Sequence, residues 1–138
     1  MIVADTNVVS ELMRDEPDPA VLTWARGLAV GEVTLTVITV TEVEYGLVRL
    51  PPGKRRDRLT TRWQQIFDAY ADTILDYDLA SARAAAAILA ERDRTGRPVG
   101  LADAQIAAVC RVGSHQLATR NTKDFDGLGL DIVNPFNA

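Results

Sequence analysis

The chain has 138 residues, 47% of them hydrophobic and 25% charged, with a formal net charge of −4. That length is enough to bury a core without covalent staples, and it is read as one domain over 1–138. A single cysteine (Cys110) and a single histidine (His115) exclude an internal disulfide, a zinc site and a nucleophile–histidine triad, so any metal would be held by oxygen.

The first three apolar residues, Ile2 to Ala4, predict a short buried strand, and Asn7 to Met13 the start of a helix. Pro17 and Pro19 break the chain before a helix over 20–28, in which Val21, Trp24, Ala25 and Leu28 recur at helical spacing. The β-branched run 33–39 predicts a second strand, and 39–50 returns to helical period until Pro51-Pro52-Gly53. A long helix follows over 54–71, with Leu59, Trp63, Ile66, Phe67 and Tyr70 on one face. Residues 73–77 predict a third strand. Asp78 then caps an alanine-rich helix that Gly96 ends. A helix over 101–112, a strand over 115–120, a polar turn and a last strand over 131–135 complete the chain.

Strands alternating with helices predict an α/β sandwich with a mostly parallel sheet. Ligands of such sheets bind at the carboxyl ends of the strands. Four acids fall near those ends, and each has a plain structural use. Asp5 is a ready N-cap, Thr39-x-x-Glu42 is a formal capping box, Asp103 sits in a first helical turn, and Asp124 lies in a turn. Together they suggest something else. Four carboxylates on one edge of a parallel sheet repel one another in the absence of a cation, and a divalent ion with oxygen ligands relieves that. A pocket of this kind suits metal-assisted phosphodiester hydrolysis. The acidic net charge excludes bulk electrostatic coating of nucleic acid but not a nuclease, which needs only local cations.

Four segments, VADTNVVSEL, VTLTVITVTEVEYGL, PVGLADAQIAAVC and LATRNTKDFDGLGLDIVNPF, occur in an order and spacing that resemble PIN-domain ribonucleases. Among these the chain is most similar to the toxins of VapBC-type toxin–antitoxin pairs, from Met1 to Pro135. The resemblance implies a PIN-like α/β/α sandwich with a five-stranded sheet ordered 3-2-1-4-5, and a Mg²⁺-dependent endoribonuclease in which Mn²⁺ can substitute. It implies Asp5, Glu42 and Asp103 as metal ligands and catalytic acids, with Thr6 beside the first. Relatives differ at the fourth position: some carry Asp where this chain has Asn121, others carry Asn there and an acid three residues later. This chain follows the second pattern, so Asp124 supplies the fourth charge and Asn121 tunes the shell. A cognate antitoxin over the acidic groove, an RNA substrate and a homodimer are the implied partners.

Arg120 and Lys123 flank the acids and either contact phosphate or are simply solvated loop charges. The basic run 54–62 meets an RNA backbone, an acidic partner segment or only water. Trp63, Phe67 and Tyr70 are able to stack on bases, but their spacing fits packing or a subunit interface better, and Cys110 reads as core. His115 is read as a surface or capping residue. No apolar run is long enough to span a bilayer, and the start lacks the basic flank of a signal peptide, so no membrane partner and a cytoplasmic location are expected. Two rival readings are an acidic-pocket phosphatase, disfavoured because Asp5-Thr6-Asn7 lacks the second aspartate, and a catalytically silent PIN scaffold that acts as a binding module.

Overall fold

A computed structural model describes residues 1–137. The elements in chain order are β1 (Ile2–Ala4), α1 (Thr6–Leu12), α2 (Pro19–Arg26), β2 (Val33–Thr34), α3 (Val37–Arg49), α4 (Lys54–Tyr70), α5 (Leu79–Arg94), α6 (Leu101–Gly113), β3 (Gln116–Ala118) and β4 (Ile132–Val133). Short 3₁₀ turns cover Thr122–Phe125 and Pro135–Asn137. Every strand pairing is parallel, and the order across the sheet is β2-β1-β3-β4.

The expected five-stranded sheet ordered 3-2-1-4-5 is therefore corrected to four strands. The 73–77 segment makes only one parallel bridge, Leu75 opposite Thr36. Leu75 N donates to Leu35 O at 2.9 Å, and Val37 N donates to Leu75 O at 3.0 Å. The ladder cannot lengthen because the neighbouring strand stops there: Thr36 is already the N-cap of α3, its hydroxyl accepting from Thr39 N. The β-branched run thus ends as helix rather than strand. Period-2 chemistry over 37–39 is overridden by a cap and by burial of Ile38 and Thr39.

Adjacent strand residues point to opposite faces, so Val3 and Ala4 enter different cores. On one face α5 and α6 pack Ala85, Ile88, Ile106 and Val109 against Val3 and Leu117. On the other, α1 to α4 gather Val8, Val9, Val21, Val43, Leu47 and Trp63 around Ala4. Trp63 is buried, with Phe67 at 6.0 Å and its indole N–H donating to Glu44, so this aromatic stripe is packing. Cys110 is fully buried, and burial pushes its thiol up to about 12.

Both ends of α5 follow their sequence signals. Asp78 caps α5 by accepting from Ser81 N at 2.8 Å, and Gly96, just past the end, takes a left-handed φ of 71°. Among the described residues no helix is long and apolar enough to cross a membrane.

Candidate active site

Because the strands run parallel, their carboxyl ends share one edge, where β1 leads into Asp5 and β3 into Thr119. Asp5 is 3% exposed. Its Oδ1 accepts from Thr6 N at 2.8 Å, which makes it the N-cap of α1. Its Oδ2 accepts from the Thr119 hydroxyl at 2.8 Å and from the Asn7 amide at 3.3 Å. Cap and cluster member are thus one residue, using different oxygens. Burial raises the Asp5 pKa above its ordinary value against the opposing bonds from Thr119 and Thr6, and the charges of Glu42 and Asp124 add to the rise.

Thr119 is the hub of this junction and is fully buried. Its one hydrogen goes to Asp5, while its lone pairs take Asn121 N at 3.1 Å and the Asn7 amide at 3.2 Å. Asn7 in turn accepts from Arg120 N at 3.2 Å. Sequence reasoning missed both Asn7 and Thr119. The available signal was a polar residue at the end of each central strand, in Asp-Thr-Asn and in Ala-Thr-Arg-Asn.

Glu42 projects from the second turn of α3, and its Oε1 accepts from the Thr6 hydroxyl at 2.7 Å. Thr6 spends its only hydrogen there, so the 3.0 Å contact between its hydroxyl and that of Thr39 has Thr39 as donor. The formal Thr39-x-x-Glu42 capping box is therefore not used: Thr36 caps α3 instead, leaving Glu42 free to face Asp5. Thr6 couples α1 to α3 and orients the glutamate.

Asp103 lies in the first turn of α6 and is half-buried. No side chain or backbone N–H donates to its carboxylate among the described residues. Burial, then the charges of Asp5, Asp124 and Glu42, push its pKa from 3.8 to about 6. Asp124, in the 3₁₀ turn after β3, is exposed, yet its charge reaches both Asp5 and Asp103.

An open pocket of about 510 Å³ has Asp5, Thr6, Glu42, Asp103, Arg120 and Asn121 on its wall. Asp124 and Lys123 are not on that wall; Lys123 is exposed, its carbonyl held by Arg97. Arg120 is placed firmly. Its guanidinium lies 4.0 Å from the Phe136 ring centroid and 3.7 Å from the buried Glu11, which also binds Arg14 and Asp18 N. A larger cavity of about 790 Å³ lies at the amino ends of the strands beside Met1, Glu32 and His115. It holds no comparable carboxylate cluster. His115 packs against Gly113 there, its Nδ1 buried with no hydrogen-bond partner among the described residues.

The donor set at the carboxyl edge is all oxygen, the chemistry of a hard divalent ion. The neighbouring carboxylates add to the cost of ionising Asp5 and Asp103, which a cation would relieve. They do not close into a cage: among the described residues no three His, Cys, Asp or Glu side chains are gathered closely enough to hold an ion by themselves. The site fits an ion with an open coordination sphere better than one wrapped by protein.

The model of one family, described as PIN domain, matches residues 2–129. The chain is 41% identical over 137 residues to the VapC ribonuclease Y4jK of Sinorhizobium fredii, covering 99% of this chain and 98% of that one. It is 35% identical over 138 residues to the Toxin FitB of Neisseria gonorrhoeae, covering 99% of each. The crystal structure of FitAcB from the same organism superposes with a TM-score of 0.91 at 34% identity, over 100% of both chains.

Proposed function

The chain belongs to the PIN-domain family, and from that premise we propose that it is a Mg²⁺-dependent endoribonuclease, the toxin of a toxin–antitoxin pair. One observation carries the reading. Asp5, Glu42 and Asp103, from three separated segments, share one pocket wall, and the charges of Glu42 and Asp124 bear on Asp5 and Asp103. The names of the relatives, a ribonuclease and a toxin, support the substrate and the biological setting.

Asp5, Glu42 and Asp103, which share the pocket wall, would bind the ion directly or through water, and Asp124 would add the fourth charge. The chemistry that Mg²⁺, or Mn²⁺ in its place, would supply there is activation of water and neutralisation of charge on the leaving oxygen. The chain's own part is preorganisation. Thr119 and the Thr6 backbone fix both oxygens of Asp5, and the Thr6 hydroxyl fixes Glu42. Asn121 lines the pocket beside them. Arg120, its guanidinium 4.0 Å from the Phe136 ring centroid, would offer a planar cation to the phosphate. Asn7 occupies the position where a haloacid-dehalogenase-like phosphatase carries its second aspartate, and its amide instead ties Asp5 to Thr119.

A cognate antitoxin covering the acidic groove is the partner that the toxin reading requires, with a second copy of the chain as the other. Exposed Tyr45 and Val48 on α3 are apolar surface of the sort a protomer interface covers. The test is cleavage of a mixed RNA pool by antitoxin-free protein with Mg²⁺, with chelator, and with Asp103→Ala. Cutting that needs the ion and Asp103 is expected; chelator-insensitive cutting, or none by the wild type, would sink the reading.

A further inference from the structure

Arg92, in the last turn of α5, is 5% exposed and is a buried cation with no carboxylate in contact among the described residues. Such a charge is costly unless its donors are satisfied. Here they are satisfied by main chain. Nη2 donates to the carbonyls of Asp124 at 2.6 Å and Asp126 at 2.9 Å, and Nη1 donates to Arg97 O at 3.2 Å. The same turn is held from two other points: Arg97 donates to Lys123 O and Arg111 to Leu128 O. Phe125 and Leu128 anchor the turn in the core, and Gly127, with a φ of 76°, lets the chain reverse between them.

Asp124 is exposed and shares no side-chain hydrogen bond with the pocket among the described residues. What determines its distance from Asp5 and Asp103 is therefore the backbone that Arg92 grips. We propose that Arg92 is a positioning residue for divalent-ion binding: by holding the Asp124 and Asp126 carbonyls it fixes the turn that carries the Asp124 carboxylate at the carboxyl edge of the sheet. This rests on the metal-dependent reading above, and it assigns α5, which contributes no acid, a part in the site. A lysine ammonium can meet the Asp124 and Asp126 carbonyls from one point, as Nη2 does, but not Arg97 O as well, so it reproduces the grip only in part.

Mn²⁺ alone is titrated by calorimetry, well below the lowest Tm, into wild type, Arg92→Met, Arg92→Lys, Asp124→Asn, Asp103→Asn, Ile88→Ala and the Arg92→Met/Asp124→Asn pair. Arg92→Met is expected to weaken Mn²⁺ affinity about tenfold, the usual size for a supporting residue. Arg92→Lys should fall between, and it carries the same test if the Met variant does not fold. Adding Arg92→Met to Asp124→Asn should weaken binding no further, since the first acts through the second. Ile88→Ala, fully buried on the same helix, should lower Tm without lowering affinity. Wild-type affinity in the Arg92 variants, or effects of Arg92 and Asp124 that multiply independently, would overturn the inference. So would loss of Mn²⁺ binding in Asp103→Asn but not in Asp124→Asn, which leaves the metal-dependent reading standing. Unchanged binding in both aspartate variants would remove the reading and the inference together.

Discussion

Asp5 and Asp103 carry the same group to the same sheet edge, but the molecule holds them in different ways. Asp5 ends a central strand, and three donors meet its two oxygens: a backbone N–H, a hydroxyl and an amide. Asp103 stands at a helix start with no donor on its carboxylate among the described residues, and its pKa rises to about 6. The strand-end region is a frame whose bonds offset part of the cost of burying a charge. At the helix start, the burial of the Asp103 charge and its repulsion by Asp5, Asp124 and Glu42 are not offset by any donor among the described residues. A cation would find its geometry in the first region and its driving force in the second.

The sharpest way to break this contrast is to remove charge from the second region. Asp103→Ala should lower cleavage by more than ~100-fold, since supporting residues around metal sites alone cost about 10–100-fold. Asp103→Asn should be equally inactive yet raise the Tm of metal-free protein at pH 7, because it deletes an ion disfavoured by burial and by three like charges. Cleavage assays and thermal melts in chelator check both. A lowered metal-free Tm for Asp103→Asn would mean that Asp103 is held by protein after all.

Thr119→Val attacks the first region and should do the opposite. It leaves Asp5 Oδ2 short of its shortest donor inside the core and costs about 1–3 kcal/mol of stability, read from denaturant melts. Cleavage should fall about 10–100-fold through a misplaced Asp5. The two variants thus move stability in opposite directions and activity in the same one.

How much of this could be read from the amino-acid order depends on the span of the contacts. Asp5, Asp78 and Gly96 act within a few residues of themselves, and their capping roles are written in local sequence. Glu42 was legible as a candidate metal ligand, but the sequence left it a rival use as a cap. Thr39-x-x-Glu42 imitates a capping box, and only the fold shows that α3 begins earlier, at a cap on Thr36. The same early start truncated the second strand and reduced the expected third to a single bridge. Thr119 meets Asp5 from 114 residues away, and Arg92 meets the Asp124 carbonyl from 32. No periodicity or motif signals such pairings, and Arg92 looked like one more charge on a helix among Glu91, Asp93 and Arg94.

The contrast also has a pH signature. Asp103 has a folded pKa raised from 3.8 to about 6, and Asp5 is raised as well. A raised acid contributes stability that is fully present below its unfolded value and is lost as pH rises through the folded one. Metal-free protein should therefore lose Tm between about pH 4 and pH 7. Asp15, lowered by hydrogen bonding to Arg62, and Asp78, lowered by its cap bond from Ser81 N, act in the other sense. Their stability is present above the ordinary Asp value and is lost as pH falls below it. Melts in chelator across this range should show the decline on the alkaline side, Asp103→Asn should flatten it, and excess Mn²⁺ should reverse it. A metal-free Tm that climbs steadily to pH 7 would remove the charge-repulsion half of the contrast.

The smallest effects are expected at the two cations beside the acids, which divide the way the acids do. Arg120 is framed: it lies over Phe136, faces Glu11 and lines the pocket, and its backbone N–H donates to Asn7. Its guanidinium is held near the place a phosphate would occupy, so little side-chain freedom is lost on binding. Lys123 is exposed and off the pocket wall, held only by its carbonyl. Arg120→Ala should raise KM about 5–10-fold with a smaller change in kcat, the pattern of a contact made equally in ground and transition states. Lys123→Ala should change KM by less than about twofold, as a solvated surface charge does. Steady-state cleavage of one short oligonucleotide at two salt concentrations separates them, because the Arg120 effect should persist where a diffuse surface charge is screened. If Lys123 has the larger effect, the phosphate approaches from the Asp124 side and the framed arginine serves only to hold the fold.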